Sequence, residues 1–139
     1  MSPWLVPLET CILKLDANNY ETSALKLRKI MNDNRCSIIA LGNGTGCRMF
    51  EDMLIEKIKS GFFGKTNLKY KIINESGVSW YSVTEQAKRD LPNFPPQMIG
   101  AISIARKLID PLSELVKVDP KRLQVGMYMV WLSVWLSTL

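Results

Sequence analysis

The chain of 139 residues contains no histidine, which excludes catalytic triads, general bases and metal sites built on an imidazole. Cysteine is scarce as well. The three cysteines, Cys11, Cys36 and Cys47, match no zinc or redox spacing, and their odd number argues against a disulfide framework. We therefore predict no bound metal, no other cofactor and a reducing intracellular compartment, without distinguishing the nucleus from the cytoplasm.

Membrane-targeting segments are also missing from the sequence. The N-terminus lacks a basic region ahead of an apolar core, so no signal peptide is predicted. No charged residue follows Arg122, but the apolar stretch at 127–139 is shorter than the roughly 20 residues that a spanning helix needs. We expect no membrane anchor.

Neither sign of charge dominates the composition. The net charge is +5, hydrophobic residues make up 47% and charged residues 22%, which is typical of a globular domain. The length fits a single domain. The mild positive charge permits a nucleic-acid partner without requiring one.

Apolar residues follow an alternation of strand and helix patterns up to about residue 90 and a helical pattern beyond it. The predicted strands cover about residues 10–15, 36–41 and 68–73. Predicted helices cover about 21–34, a segment from Thr45 to near Gly61, a segment from Ser82 or Thr84 to Asp90, and a helix striped by Met98, Ile102, Ala105 and Ile109. Asp110 is the predicted N-cap of a further helix. This order predicts an α/β fold with a parallel or mixed sheet.

The predicted strand at 36–41 runs into the turn Gly42-Asn43-Gly44-Thr45-Gly46 at the start of a helix. Backbone N–H groups in such a turn could hold a phosphate. However, Cys47 replaces the third glycine of a dinucleotide fingerprint, and the lysine of a P-loop is missing. We favour a structural strand–helix turn over a phosphate cradle. Arg48, in the following helix, is the nearby candidate for a phosphate contact.

Carboxylates give little indication of catalysis. Two-metal nucleases gather several carboxylates at strand ends. Of Asp52, Glu75, Glu85 and Asp90, Glu75 follows a predicted strand, whereas the others lie on predicted helices, where charged residues usually face solvent. Basic residues are scattered around Tyr70, Trp80 and Tyr81, whose rings could stack on bases but are more simply interpreted as core aromatics.

Several motifs together resemble a known family. They are Gly42-Asn43-Gly44-Thr45, Glu75-Ser76-Gly77-Val78-Ser79-Trp80-Tyr81-Ser82 and Gly100-Ala101-Ile102-Ser103-Ile104-Ala105-Arg106-Lys107-Leu108. The pattern resembles the YqgF domain (RuvC-like, RNase H fold) of the Tex family of transcription accessory proteins. It is most similar to animal members that end in an OB-fold RNA-binding domain. The resemblance covers about residues 9–128, and its part from Asp110 onward looks like the linker to the family's helix-hairpin-helix domain.

The resemblance implies an incomplete RNase H-like domain at 9–92 and a helical linker at 93–128. Residues 1–8 are then an atypical N-terminal extension, and residues 129–139 a divergent apolar tail of spliced or read-through origin. The chain would be a fragment that begins after the strand bearing the first metal-binding Asp of active relatives. By this resemblance, Gly42, Asn43, Gly44 and Thr45 form a structural turn.

The function implied by the resemblance is that of a non-catalytic, nucleic-acid-associated module of a Tex-like protein. RNA or DNA would be bound largely through domains that this chain lacks, and no small-molecule substrate is expected. Candidate contacts to the nucleic-acid backbone are Arg48, Lys69, Lys71 and Arg106. Two alternatives remain open: a divalent-metal-dependent RuvC-like nuclease with Glu75 as a ligand, and a scaffold domain that touches no nucleic acid.

Overall fold

The computed structural model describes residues 7–65 and 67–122. Its elements are α1 (Tyr20–Asp33), β1 (Ile38–Gly42), α2 (Cys47–Lys59), β2 (Lys69–Ile73), α3 (Val78–Tyr81), α4 (Glu85–Asp90), α5 (Pro96–Ile109) and α6 (Pro111–Leu115), followed by a 3₁₀ turn (Pro120–Arg122). Residues 1–6 of the predicted extension and the whole predicted apolar tail lie outside the described residues.

Strands β1 and β2 pair in parallel, with Ile38 opposite Lys69 and Gly42 opposite Ile73. The predicted α/β class with a parallel or mixed sheet is confirmed, and the pair of strands in the described residues is parallel. The predicted strand at 10–15 is wrong, because this segment forms no strand. Its backbone bonds instead to a side chain of α1: the N–H of Lys14 donates to Ser23 Oγ at 3.0 Å, and that hydroxyl donates to the Lys14 carbonyl at 2.7 Å.

Two apolar clusters form the core of the described part of the chain. The first joins α1 and α2 to the sheet, with Ala24, Met53 and Leu54 fully buried and Ile39, Leu41 and Tyr70 packed against them. Because successive strand residues point to opposite faces, the other face of the sheet remains for α5, which contacts both strands. The second cluster lies around α5 and consists of Tyr81, Ala87, Leu91, Ile99, Ile102 and Val118.

Helix α5 buries a face that shares only Ile102 with the predicted apolar stripe. Ala105 is exposed and Ile109 is 58% exposed, whereas the buried positions are Ile99, Ile102, Ser103 and Arg106. The predicted stripe is shifted because two polar residues lie on the buried face, and a hydrophobic pattern does not count them. Helix α5, the first helix of the region that the resemblance assigns to the linker, contacts both strands of the sheet.

The predicted N-cap Asp110 is confirmed, and the two threonines predicted to start helices differ from each other. Thr84 caps α4 by accepting from the N–H of Ala87 at 3.2 Å, and Asp110 caps α6 by accepting from the N–H of Ser113 at 3.2 Å. Thr45 does not cap α2, because the N-cap position is taken by Gly46 at φ 87°. The single turn α3 was not predicted. None of the helices in the described ranges is long and apolar enough to cross a bilayer.

Candidate nucleic-acid interface

The carboxyl edge of the sheet brings two loops together. Residues 43–46 follow β1 and residues 74–77 follow β2, and parallel strands place such loops side by side. The N–H of Asn43 donates to the carbonyl of Ile73 at 3.0 Å, and Asn43 Oδ1 accepts from the N–H of Glu75 at 3.0 Å. The predicted turn residue Asn43 thus ties the two loops to each other.

The carboxylate of Glu75 lies directly against Gly42 and Gly44. A Cβ on either glycine would overlap that carboxylate, and a Cβ on Gly42 would also meet Ile104. Gly46 has a positive φ, but Gly42 and Gly44 do not. The sequence predicts glycine at 42 and 44 for backbone shape, whereas the structure gives a different reason: space for a carboxylate.

Lys107 holds the second loop from the side of α5. Its Nζ donates to the carbonyl of Asn74 at 3.0 Å and to that of Ser76 at 3.1 Å. Burial lowers the pKa of Lys107, although the nearby carboxylates of Glu114 and Glu75 favour its charged form. Sequence analysis did not single out this lysine, because nothing in its spacing distinguishes it from the other scattered basic residues.

Three of the four predicted nucleic-acid contacts are exposed. Arg48 lies in the first turn of α2, at the carboxyl edge of the sheet. Lys69 and Lys71 lie on one face of β2, because residues two apart in a strand point the same way. Arg48 and Lys69 form no salt bridge within the described ranges. Arg48 is therefore at the loop edge, and the two lysines lie along the strand.

Arg106 lies in a different environment. It is 2% exposed and belongs to the buried face of α5. A phosphate backbone approaching from solvent cannot reach a guanidinium enclosed in this way. The candidate interface therefore leaves Arg106 out and consists of Arg48, Lys69 and Lys71.

The aromatic rings near the basic residues serve the fold. Tyr81 is 1% exposed and donates to Asp90 at 3.1 Å; burial and this hydrogen bond raise its pKa. Tyr70 donates to Glu51 at 2.8 Å, and this bond raises its pKa. Trp80 packs against the second cluster. These contacts favour the core interpretation over stacking on bases.

The carboxylates considered as metal ligands do not converge on Glu75. Glu85 pairs with Lys88 at 2.8 Å, and Asp90 accepts from Tyr81. Asp52 is exposed on α2. Within residues 7–65 and 67–122, no group of three or more Cys, Asp or Glu side chains is arranged to hold a metal ion.

Residues 5–109 match the family described as the Tex protein YqgF-like domain. The chain belongs to the Tex family and carries its RNase H-like YqgF domain. It is 37% identical over 92% of its length to human S1 RNA-binding domain-containing protein 1, of which it covers 13%. It is 36% identical over 87% of its length to transcriptional accessory protein Tex of Neisseria gonorrhoeae, of which it covers 16%.

A third relative is protein YhgF of Escherichia coli. The two are 38% identical over 76% of this chain, and the matched region is 14% of the length of YhgF. The chain thus spans less than a fifth of each of these three relatives. The predicted membership of the Tex family is confirmed.

Proposed function

We propose that this chain is a non-catalytic module of a nucleic-acid-associated, intracellular Tex protein and that it contacts the sugar–phosphate backbone through Arg48, Lys69 and Lys71. The observation that carries this proposal is the exposure of these three cations on a YqgF-like domain. The names of two relatives, an S1 RNA-binding domain-containing protein and a transcriptional accessory protein, support nucleic acid as the partner.

The placement of Glu75 supports a role without catalysis. Its carboxylate is directed against the chain's own glycines. The other carboxylates considered above do not join it: Glu85 pairs with Lys88, and Asp90 accepts from Tyr81. A two-metal mechanism needs several carboxylates converging on one place. We therefore assign this edge of the sheet to binding and fold maintenance.

The binding proposal is tested with fluorescent single- and double-stranded RNA and DNA oligonucleotides over a series of salt concentrations. Phosphate contacts release counterions, so the logarithm of the binding constant should fall by about 0.7 to 0.9 per contact for each tenfold rise in salt. Replacing Arg48, Lys69 or Lys71 with alanine should each reduce this slope by about 1.

A matched control is Lys29→Ala, because Lys29 is an exposed lysine already paired with Asp33 at 2.6 Å on α1. We expect this variant to bind like the parent chain. Binding that is absent, or equally sensitive to all four substitutions, would refute the assigned contacts. A complete absence of binding would support the alternative of a scaffold domain.

The absence of catalysis is tested separately, by incubating the full chain with branched DNA or with RNA in the presence of Mg²⁺ or Mn²⁺. We expect no cleavage. Metal-dependent cleavage that disappears in Glu75→Gln would overturn the proposal in favour of the nuclease alternative. Metal-dependent cleavage that survives Glu75→Gln would overturn it too, and would exclude Glu75 as the metal ligand.

A further inference from the structure

The two loops at the carboxyl edge are joined by hydrogen bonds and by a side-chain contact. Asn43 bonds to the second loop through both its backbone N–H and its side-chain oxygen. The Glu75 side chain then reaches back over the first loop and rests on Gly42 and Gly44. A residue of the first loop thus bonds to the second, and a residue of the second loop contacts the glycines of the turn.

We propose that Glu75 and the glycines at 42 and 44 form an internal latch, in which the chain's own carboxylate closes the glycine turn and makes the two loops move as one unit. The turn is then filled from inside the domain rather than left open for a ligand. Within the interface proposed above, the contact at this edge would be the side chain of Arg48 and not the backbone of the turn. The latch itself does not depend on nucleic-acid binding.

The backbone conformation supports this assignment. Neither Gly42 nor Gly44 has a positive φ, so neither position needs glycine for its conformational freedom. What each position lacks is room for a Cβ, and the three atoms nearest to a Cβ on Gly44 belong to the Glu75 carboxylate. Since that carboxylate ends a flexible side chain, a methyl group at Gly44 should expel it from the turn and leave the backbone in place.

The chain offers a matched control glycine two residues away. Gly46 has φ 87°, and a Cβ there would meet no atom within 4 Å. Gly46→Ala therefore adds backbone strain without touching Glu75. Gly44→Ala does the reverse, since it adds a collision with Glu75 without requiring a left-handed backbone.

The test is a double-mutant cycle on the full chain, with folding equilibrium constants from urea unfolding. The latch predicts that Gly44→Ala lowers the folding constant about tenfold in the parent chain and less than about twofold in Glu75→Ala. Gly46→Ala should lower it by about tenfold in both backgrounds. An equal effect of Gly44→Ala in the two backgrounds would overturn the proposal.

If Gly44→Ala alone fails to fold, the double variant Gly44→Ala with Glu75→Ala decides the question. Recovery of a cooperative unfolding transition in the double variant supports the latch, because the collision has been removed. A double variant that stays unfolded would overturn it, because the damage at Gly44 would then not depend on Glu75.

Discussion

The hydroxyl of Ser103 donates a hydrogen bond to the carboxylate of Glu114 at 2.8 Å, and both residues are buried where α5 meets α6. Glu114 also binds Lys117 Nζ at 2.6 Å. The negative charge is thus enclosed, paired and hydrogen-bonded. Helix α6 contains five residues, too few to be stable alone, so this contact with α5 is a main reason for its position.

Removing the carboxylate of Glu114 should be costly. Glu114→Ala leaves the Lys117 ammonium, which is 16% exposed, without its counter-ion and the Ser103 hydroxyl without its acceptor. We expect a loss of about 3 kcal/mol in the free energy of unfolding, measured by urea denaturation. The control is Glu85→Ala on α4, whose pair with Lys88 is exposed and should contribute little. Similar losses in the two variants would contradict the buried role of Glu114.

Gly77 has both a left-handed backbone and no room for a Cβ, whereas Gly61 has only the left-handed backbone. The φ of Gly77 is 78°, and an added Cβ would lie 2.5 Å from Val118 Cγ1. Gly61 has φ 72° with nothing within 4 Å of such a Cβ. Gly61→Ala should cost about 1 kcal/mol of backbone strain, and Gly77→Ala about 2 kcal/mol more because of overpacking. Thermal or urea unfolding measures both.

The added cost at Gly77 should depend on Val118. Trimming that side chain in Val118→Ala makes room for the new methyl group, so the double variant should recover most of the difference between the two glycine substitutions. If Val118→Ala instead adds its full cost to that of Gly77→Ala, the collision is not the cause.

Ionisation of Tyr20 should lower the free energy of unfolding at alkaline pH. Tyr20 donates to Glu56 at 2.7 Å, and this hydrogen bond raises the pKa of Tyr20 to about 12. Because the hydrogen bond needs the phenol proton, it stabilises the neutral phenol in the folded chain and not in the unfolded chain. Its contribution is therefore complete below the ordinary tyrosine pKa of about 10 and is lost as the pH rises through about 12.

The pKa of Tyr20 can be measured from its ring resonances in an NMR titration. Glu56→Gln should bring it back toward the ordinary tyrosine value, since the carboxylate acceptor is gone. Asp33→Asn removes an equal charge from α1, where the carboxylate pairs with Lys29, and should leave Tyr20 unchanged. A Tyr20 that titrates at its ordinary pKa in the parent chain would refute the assignment.

Sequence periodicity predicts this fold best where one face of an element is apolar and the other polar. Helix α2 lies within its predicted segment and buries Met53 and Leu54, and the two strands of the sheet are found within two residues of their predicted bounds. The pattern fails for α5, where the polar residues Ser103 and Arg106 are buried and Ser103 bonds to Glu114, which a hydrophobic pattern does not register. It fails again at 10–15, where Ser23 rather than a strand satisfies the backbone of Lys14.

At the candidate site, too, the sequence predicts local features but not the contacts between distant residues. Exposure of Arg48, Lys69 and Lys71 agrees with their polar positions in predicted elements. The contact of Glu75 with Gly44 joins residues 31 positions apart through the register of the sheet, and no local pattern contains that register. Lys107 likewise meets Asn74 only after α5 has packed on the sheet.

Lys107 should control the local stability of the loop that carries Glu75. Lys107→Met keeps most of the side chain's bulk but removes both hydrogen bonds to the carbonyls of Asn74 and Ser76. We expect amide hydrogen exchange to accelerate several-fold at Val78, whose N–H bonds to the Glu75 carbonyl at 3.0 Å, while Leu54 in α2 keeps its protection. Lys88→Met, an exposed lysine on α4, is the control and should leave both amides unchanged. Equal acceleration at Val78 and Leu54 in Lys107→Met would mean global destabilisation and would refute a local role, because a loop fastened by Lys107 must open without the helix.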